Sequence, residues 1–229
     1  MTRIIIFANG HLPNLDAARA LLHADDFIIA ADGGTHNALA LGLMPNVIIG
    51  DLDSLTLNAQ ELRDQGVQVI QFPSDKNETD LELAIQHAAA MQPEQVVIVG
   101  ALGGRLDQTL GNIALLSNLQ PFESLRTSPS TFDLRLDDGV EELYFCRASS
   151  PQGNQAEVHG RSGELVSLIP WGAPVEGVRT DGLRWPLSDE TLYPNKTRGI
   201  SNELLGEQAT VRIRSGLLLV VHRHTTQER

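Results

Sequence analysis

In the first half of the chain, apolar residues come in short solid runs, each followed by a stretch with helical spacing. The runs at 4–8, 27–31, 47–50, 67–72 and 95–101 are apolar at most positions. Strands buried on both faces have this pattern, because neither side of the sheet meets water. The stretches at 15–24, 36–43, 57–65, 80–92 and 106–119 carry apolar residues three and four apart, which predicts helices with one buried face. Five such β-α repeats predict a parallel sheet covered by helices on both faces.

The rhythm changes near Gln120. Short strand-like pieces follow at 131–136, 142–147, 155–159, 164–169, 177–180, 209–214 and 217–222, separated by turn signals such as DDG, PQGN, GRSG and RSG. No long helical pattern interrupts them. The expectation is an α/β domain over residues 1–122, a linker within 121–130, and an all-β sandwich domain over 131–229.

Composition narrows the function. The 229 residues are enough for a sizeable core, and 41% hydrophobic with 20% charged residues is ordinary for a globular protein. The formal net charge of −12 argues against nucleic acid or an anionic membrane as partner. Cys146 is the single cysteine, which excludes an internal disulfide framework. The N-terminal apolar run lacks the length of a signal peptide, and the run at 217–221 is too short to span a bilayer. The expected location is the cytoplasm.

In an open parallel sheet, ligands bind beyond the carboxyl ends of the strands. The residues there are Asn9-Gly10 after the first strand and Asp32-Gly33-Gly34-Thr35 after the second. Gly50-Asp51-Leu52-Asp53-Ser54 follows the third, Ser74 to Asp80 the fourth, and Gly103-Gly104-Arg105-Leu106-Asp107 the fifth. On an extended chain Asp51 and Asp53 share a face about 6.6 Å apart. Two carboxylates so placed can share a hydrated Mg²⁺, although a polar turn with a helix cap explains them equally well. Thr79 and Glu82 form a capping box, which leaves Asp80 as a third candidate ligand. Gly103 and Gly104 let a phosphate approach the backbone; Arg105 and Lys76 supply positive charge. The convergence of acids, glycines and two cations on one sheet edge points to Mg²⁺-dependent chemistry on a phosphorylated or nucleotide substrate. Among the histidines, His222 and His224 are expected to share a solvated face near the chain end. Trp171 and Trp185 both fall in the β-rich half, where a Trp more often packs in the core than serves as a ligand platform.

Three segments, ADGGTHNALALGLMPNVIIGDLDSL, NETDLELAI and GALGGRLDQTLGNIALL, together with SLIP, GLRWPL and GISNEL, resemble the thiamine pyrophosphokinases. The resemblance spans most of the chain outside roughly 121–153. It implies an N-terminal α/β catalytic domain and a C-terminal β-sandwich that binds thiamine and dimerises. It implies transfer of the diphosphoryl group of ATP to the hydroxyl of thiamine, giving thiamine diphosphate and AMP. By motif match, Asp51, Asp53 and Asp80 would hold Mg²⁺. Asp32, Asn37, Lys76, Thr79, Gly104 and Arg105 would bind ATP, and Asp53, Asp80, Arg105 and Asp107 would serve catalysis. Asp107 is the acceptor assigned to the alcohol proton. Trp185 would stack on thiamine, and Ser201 and Asn202 would hydrogen-bond it. The resemblance also implies a homodimer with the site shared between subunits. The sequence departs from it at Gln108, where many bacterial members carry His. Two other readings stay open: a diphosphokinase for another small alcohol of pterin type, and a non-catalytic nucleotide- or thiamine-binding module.

Overall fold

The computed structural model describes residues 3–123, 132–148 and 154–225. The chain divides into two compact units, Met1–Gly139 and Val140–Arg229.

In the first unit the expected β-α rhythm is present. Strands β1 (Arg3–Phe7), β2 (Phe27–Ala31), β3 (Val47–Gly50), β4 (Gln68–Gln71) and β5 (Gln95–Val99) alternate with helices α1 (Leu15–Ala20), α2 (Gly34–Ala40), α3 (Ala59–Asp64), α4 (Asp80–Ala90) and α5 (Leu106–Leu116). A short helix α6 (Gln120–Glu123) and a sixth strand β6 (Asp133–Asp137) complete it. Every adjacent pair in this unit is parallel, and the strand order is β6-β5-β1-β2-β3-β4. Side chains alternate across a strand. Ile5, Phe7, Ile28, Val97 and Val99 form one core layer with Ala18 of α1 and Ala38 of α2. The intervening Ile4, Ile6 and Ile29 are fully buried on the opposite face, and α4 packs on β1, β2 and β3. Asn14, Asn58 and Thr79 cap α1, α3 and α4 with side-chain acceptors, so each helix begins at the polar residue that closes its first turn.

The strand expected at 131–136 in the all-β part instead pairs in parallel with β5, which places β6 in the first unit. Its polar-apolar alternation reads equally well as the edge of either sheet, and sequence pattern alone cannot choose the partner. Positions 124–131, which take in most of the expected linker, lie outside the described residues.

The second unit is built from antiparallel strands. One sheet runs β12-β9-β14-β7, from β7 (Glu141–Arg147), β9 (Leu165–Pro170), β12 (Asn202–Glu203) and β14 (Leu217–Arg223). The other runs β11-β10-β13-β8, from β8 (Gln155–His159), β10 (Val175–Asp181), β11 (Ser188–Leu192) and β13 (Gln208–Arg212). Their inner faces share one core: Cys146, Val166, Leu168, Leu218 and Val220 meet Val158, Val178, Leu192, Ala209 and Val211. This is the expected β-sandwich. Burial pushes the Cys146 thiol up to about 12. No helix among the described residues is long and apolar enough to cross a membrane.

Candidate active site

Strand order reverses between β1 and β5, the point where an open parallel sheet forms its crevice. A cavity of about 480 Å³ opens there within the first unit. All five βα loops contribute to it, through residues such as Gly10, Asp32, Asp51, Lys76, Asp80 and Arg105.

At its floor three carboxylates converge. Asp32, Asp51 and Asp80 each place an oxygen within 4.8 Å of the other two. Asp32 is 4% exposed, and its Oδ1 has no hydrogen-bond partner among the described residues. Its backbone is left-handed (φ 43°), a conformation that Asp tolerates better than most residues. The main chain fixes it there: Asp32 N donates to Ile49 O at 2.8 Å, and Thr35 N and Oγ1 donate to Asp32 O at 3.0 and 2.8 Å. Gly50 makes the approach possible. A Cβ at that position would lie 2.8 Å from Asp32 Cβ and 3.1 Å from Asp80 Cγ.

The cluster has one cation of its own. Lys76 Nζ lies 2.9 Å from Asp80 Oδ1 and 3.9 Å from Asp51 Oδ2. Burial pulls the Lys76 ammonium down, but its bond to Asp80 and the charges of Asp80, Asp51 and Asp32 outweigh that and raise it. Burial raises the Asp80 carboxyl, against the pull of Lys76. One ammonium does not balance three acids. The all-oxygen donor set and the orphaned Asp32 oxygen fit a hard divalent cation such as Mg²⁺.

Asp53 sits differently from the spacing argument. Leu52, between the two acids, is left-handed (φ 68°), so the chain is not extended there and the two side chains do not share a face. Asp53 is exposed on the cavity wall. Its N–H donates to Asp51 Oδ1 at 3.2 Å, and its Oδ1 accepts from Ser54 Oγ at 3.0 Å. Asp32 takes the place in the trio that spacing assigned to Asp53. Thr79 lines the cavity while capping α4 through Glu82 N at 3.2 Å. Asn37 is used structurally: its Nδ2 donates to Ala8 O at 2.7 Å and Gly10 O at 2.9 Å, pinning the loop after β1.

Gly103 and Gly104 are both left-handed (φ 76° and 74°), a turn that suits glycine, and they lead into α5 at the cavity mouth. Arg105 lines the cavity and is paired in a fork with Asp107: Nε to Oδ1 at 3.1 Å and Nη2 to Oδ2 at 2.6 Å. That pairing, with a bond from Gln108 N, holds the Asp107 carboxyl below its usual range and makes it a weak base. His11, Gln108 and Asn112 also line the cavity. His11 follows β1, while Gln108, the departure from the family pattern, and Asn112 lie on α5.

In the second unit, Trp185 is 48% exposed. Its backbone is held by the buried Asn202, whose Oδ1 accepts from Trp185 N at 3.0 Å and whose Nδ2 donates to Trp185 O at 2.7 Å. The Arg184 guanidinium lies 5.1 Å from the Trp185 ring centroid and is paired with Glu203 at 2.7 Å. Ser201 is left-handed (φ 57°), and its N–H donates to Ser167 Oγ at 3.0 Å. A small cavity of about 90 Å³ beside Trp185 is lined by Leu187, Arg198, Gly199, Ile200 and Asn202. Trp171 packs edge-on against Phe145 at 5.6 Å.

Comparison with known proteins matches these two groups separately. The thiamin pyrophosphokinase catalytic domain matches residues 18–126, and the vitamin B1 binding domain of the same family matches residues 154–218. The chain belongs to the thiamin pyrophosphokinase family. It is 28% identical to a thiamine pyrophosphokinase of Bacillus subtilis over 84% of this chain and 85% of the relative. It is 31% identical to thiamine pyrophosphokinase 1 of Arabidopsis thaliana over 77% of this chain and 65% of that one. The crystal structure of the Bacillus subtilis thiamine pyrophosphokinase aligns with a TM-score of 0.80 at 25% identity, covering 98% of this chain and all of the other. The carboxylate trio lies in the catalytic match and Trp185 in the vitamin-binding match.

Proposed function

We propose that this chain transfers the diphosphoryl group of ATP to the hydroxyl of thiamine, releasing AMP and thiamine diphosphate in the cytoplasm. The observation that carries the reading is the carboxylate cluster at the switch point, inside the segment matched by the family's catalytic domain. Asp32, Asp51 and Asp80 would hold Mg²⁺, which when bound neutralises phosphoryl oxygens and orients the transferred group. Lys76 offsets the mutual repulsion of the trio and offers a point charge to phosphate. Gly104 brings backbone to the phosphates, and Arg105 gives them a fork-shaped cation as charge builds in transfer. Asp107 holds Arg105 in place through both its oxygens. Asp53, exposed on the cavity wall, is better suited than Asp107 to orient the alcohol and take its proton. Asn37 and Thr79 position the loops around the nucleotide. In the second unit, Trp185 offers a flat face to a thiamine ring, Ser201 a hydroxyl, and Asn202 fixes Trp185.

The proposal includes a homodimer whose catalytic site draws on both subunits. In its support, Leu106 and Leu110 of α5, next to Arg105, are 71% and 51% exposed, an apolar face awaiting cover. Two assays test the reading. Protein, Mg²⁺, ATP and thiamine should yield AMP and thiamine diphosphate in equal amounts. AMP with a pterin alcohol but not with thiamine would reject thiamine as substrate, and no AMP with either would reject catalysis. For the shared site, inactive Asp80→Asn and Trp185→Ala chains are mixed, unfolded and refolded together. A shared site restores about a quarter of wild-type activity by random pairing; no recovery places the whole site in one subunit.

A further inference from the structure

His222, which by its place near the chain end is expected on a solvated face with His224, is completely buried. The reason lies in the sandwich. On β14, Leu218 and Val220 face the core, and His222 continues the same side. Directly opposite it in the ladder stands Glu142 of β7, on the strand face that carries Tyr144 and the core residue Cys146. Just before β9 lies buried Glu164. Three neighbouring strands thus end their apolar faces in an imidazole and two carboxylates, and His224 follows two residues on. Burying such charge is costly unless it is matched by hydrogen bonds, a proton or a metal ion.

The bonding divides the roles. Glu164 is saturated: Oε2 accepts from Arg161 N at 3.0 Å and His222 Nε2 at 2.9 Å, while Oε1 accepts from Thr225 N and Oγ1, both at 3.0 Å. A carboxylate accepting from one ring nitrogen fixes the imidazole's orientation and leaves the other nitrogen as donor of its lone pair, the arrangement behind metal-bound histidines. His222 Nδ1 is buried and makes no hydrogen bond among the described residues. It faces Glu142 Oε2 across 3.6 Å, too far for one. The His224 ring stands 4.3 Å from the His222 ring, and ligand atoms of Glu142, His222 and His224 all lie within 4.8 Å of one another.

We infer that Glu142, His222 and His224 form a second cation site, distinct in chemistry from the aspartate trio. Two imidazoles and one carboxylate, with Glu164 behind His222, suit a borderline divalent transition ion of the zinc class rather than Mg²⁺. His224 is the more open ligand, leaving a way in and a place for water as the fourth donor. The ion would tie β7, β14 and the segment after β14 together, a structural staple in the second unit.

The test uses the full chain, stripped with chelator and held in excess MgCl₂ so that the aspartate trio is occupied. Zn²⁺ is titrated by calorimetry, and Co²⁺ serves as a coloured probe of nitrogen ligation. One Zn²⁺ per chain and a raised Tm are expected. His224→Ala and Glu142→Gln should each weaken binding at least about tenfold, the lower bound seen when even an outer-shell partner is lost. Glu142→Gln keeps the shape of the buried site and carries the test if His224→Ala does not fold. The double variant Asp51→Asn/Asp80→Asn should bind Zn²⁺ as wild type does. Absence of Zn²⁺ binding by wild type, or equal binding by Glu142→Gln, overturns the assignment and leaves a protonated His222 between two glutamates.

Discussion

Gly50→Ala is the substitution that tests most directly how the aspartate cluster is assembled. The added methyl would sit 2.8 Å from Asp32 Cβ and 3.1 Å from Asp80 Cγ. Carbon atoms in good contact are about 3.5–4.0 Å apart, so the methyl and Asp32 must separate by roughly 0.7–1.2 Å, and the methyl and Asp80 by roughly 0.4–0.9 Å. Asp32 has little freedom to yield, because its main chain is bonded to Ile49 and Thr35 and its conformation is already left-handed. The strain therefore falls on the spacing of the three carboxylates. Overpacking of this kind costs about 1–3 kcal/mol of stability. A misplacement near 1 Å at a reacting site costs roughly a hundredfold in rate. The expected outcome is a folded protein with kcat for AMP release down about a hundredfold and a higher Mg²⁺ requirement. Steady-state AMP release across a Mg²⁺ series, with Tm measured in parallel, reads both effects. Wild-type kcat at ordinary Mg²⁺ would refute the claim that Gly50 sets the cluster's spacing.

Other expectations follow from the same geometry. Arg105→Ala should lower kcat by about 10²–10³ with Tm unchanged, since the Arg105–Asp107 pair is exposed and adds nothing measurable to folding; Arg105→Lys should recover part of it, and an equal defect in both variants argues for the fork geometry over charge. Asn202→Ala strips partners from Trp185 N, Trp185 O and Glu203 N, and should cost about 1–3 kcal/mol while raising KM for thiamine far more than for ATP; equal changes in both KM values would count against a thiamine role for Trp185. Cys146, with its thiol pushed up to about 12, should resist a thiol reagent in the native protein from pH 7 to 9 and react at once in denaturant; rapid native labelling would contradict the buried assignment.

Much of this architecture is legible in the chain because local pattern and tertiary burial agree. The solid apolar runs mark strands covered on both faces, and Asn14, Asn58 and Thr79 mark helix starts by the chemistry of their side chains. The polar residues just past each strand end mark the cavity rim. What escapes the sequence depends on single backbone conformations or on partner choice. Asp32 rather than Asp53 completes the carboxylate trio because Leu52 turns left-handed, which no spacing rule anticipates for a leucine. The β11 segment SDETL is too polar to read as a strand, and β12 is two residues long. His222 looks like a solvated end residue until β7 and β9 are seen to bring acids against it. Asn37 and Asn202, expected at the ATP and thiamine sites, have side-chain bonds that go to backbone and hold other residues in place.

The strand order also bears on when the site comes into being. In the β1–β5 pairing, Arg3 lies beside Gln95, so the two walls of the crevice are drawn from positions more than ninety residues apart. Contacts this distant in sequence form late, after their loop-closure entropy has been met. During synthesis, β1 through β4 can pair as they emerge, with the edge of β1 open until β5 is released. The aspartate trio, carried by the loops after β2, β3 and β4, can therefore gather early, while the glycine turn and Arg105 arrive only when β5 joins β1. Phosphate recognition is thereby tied to the joining of β5, and an unfinished chain holds the acids and Lys76 without the fork-shaped cation that would complement a nucleotide.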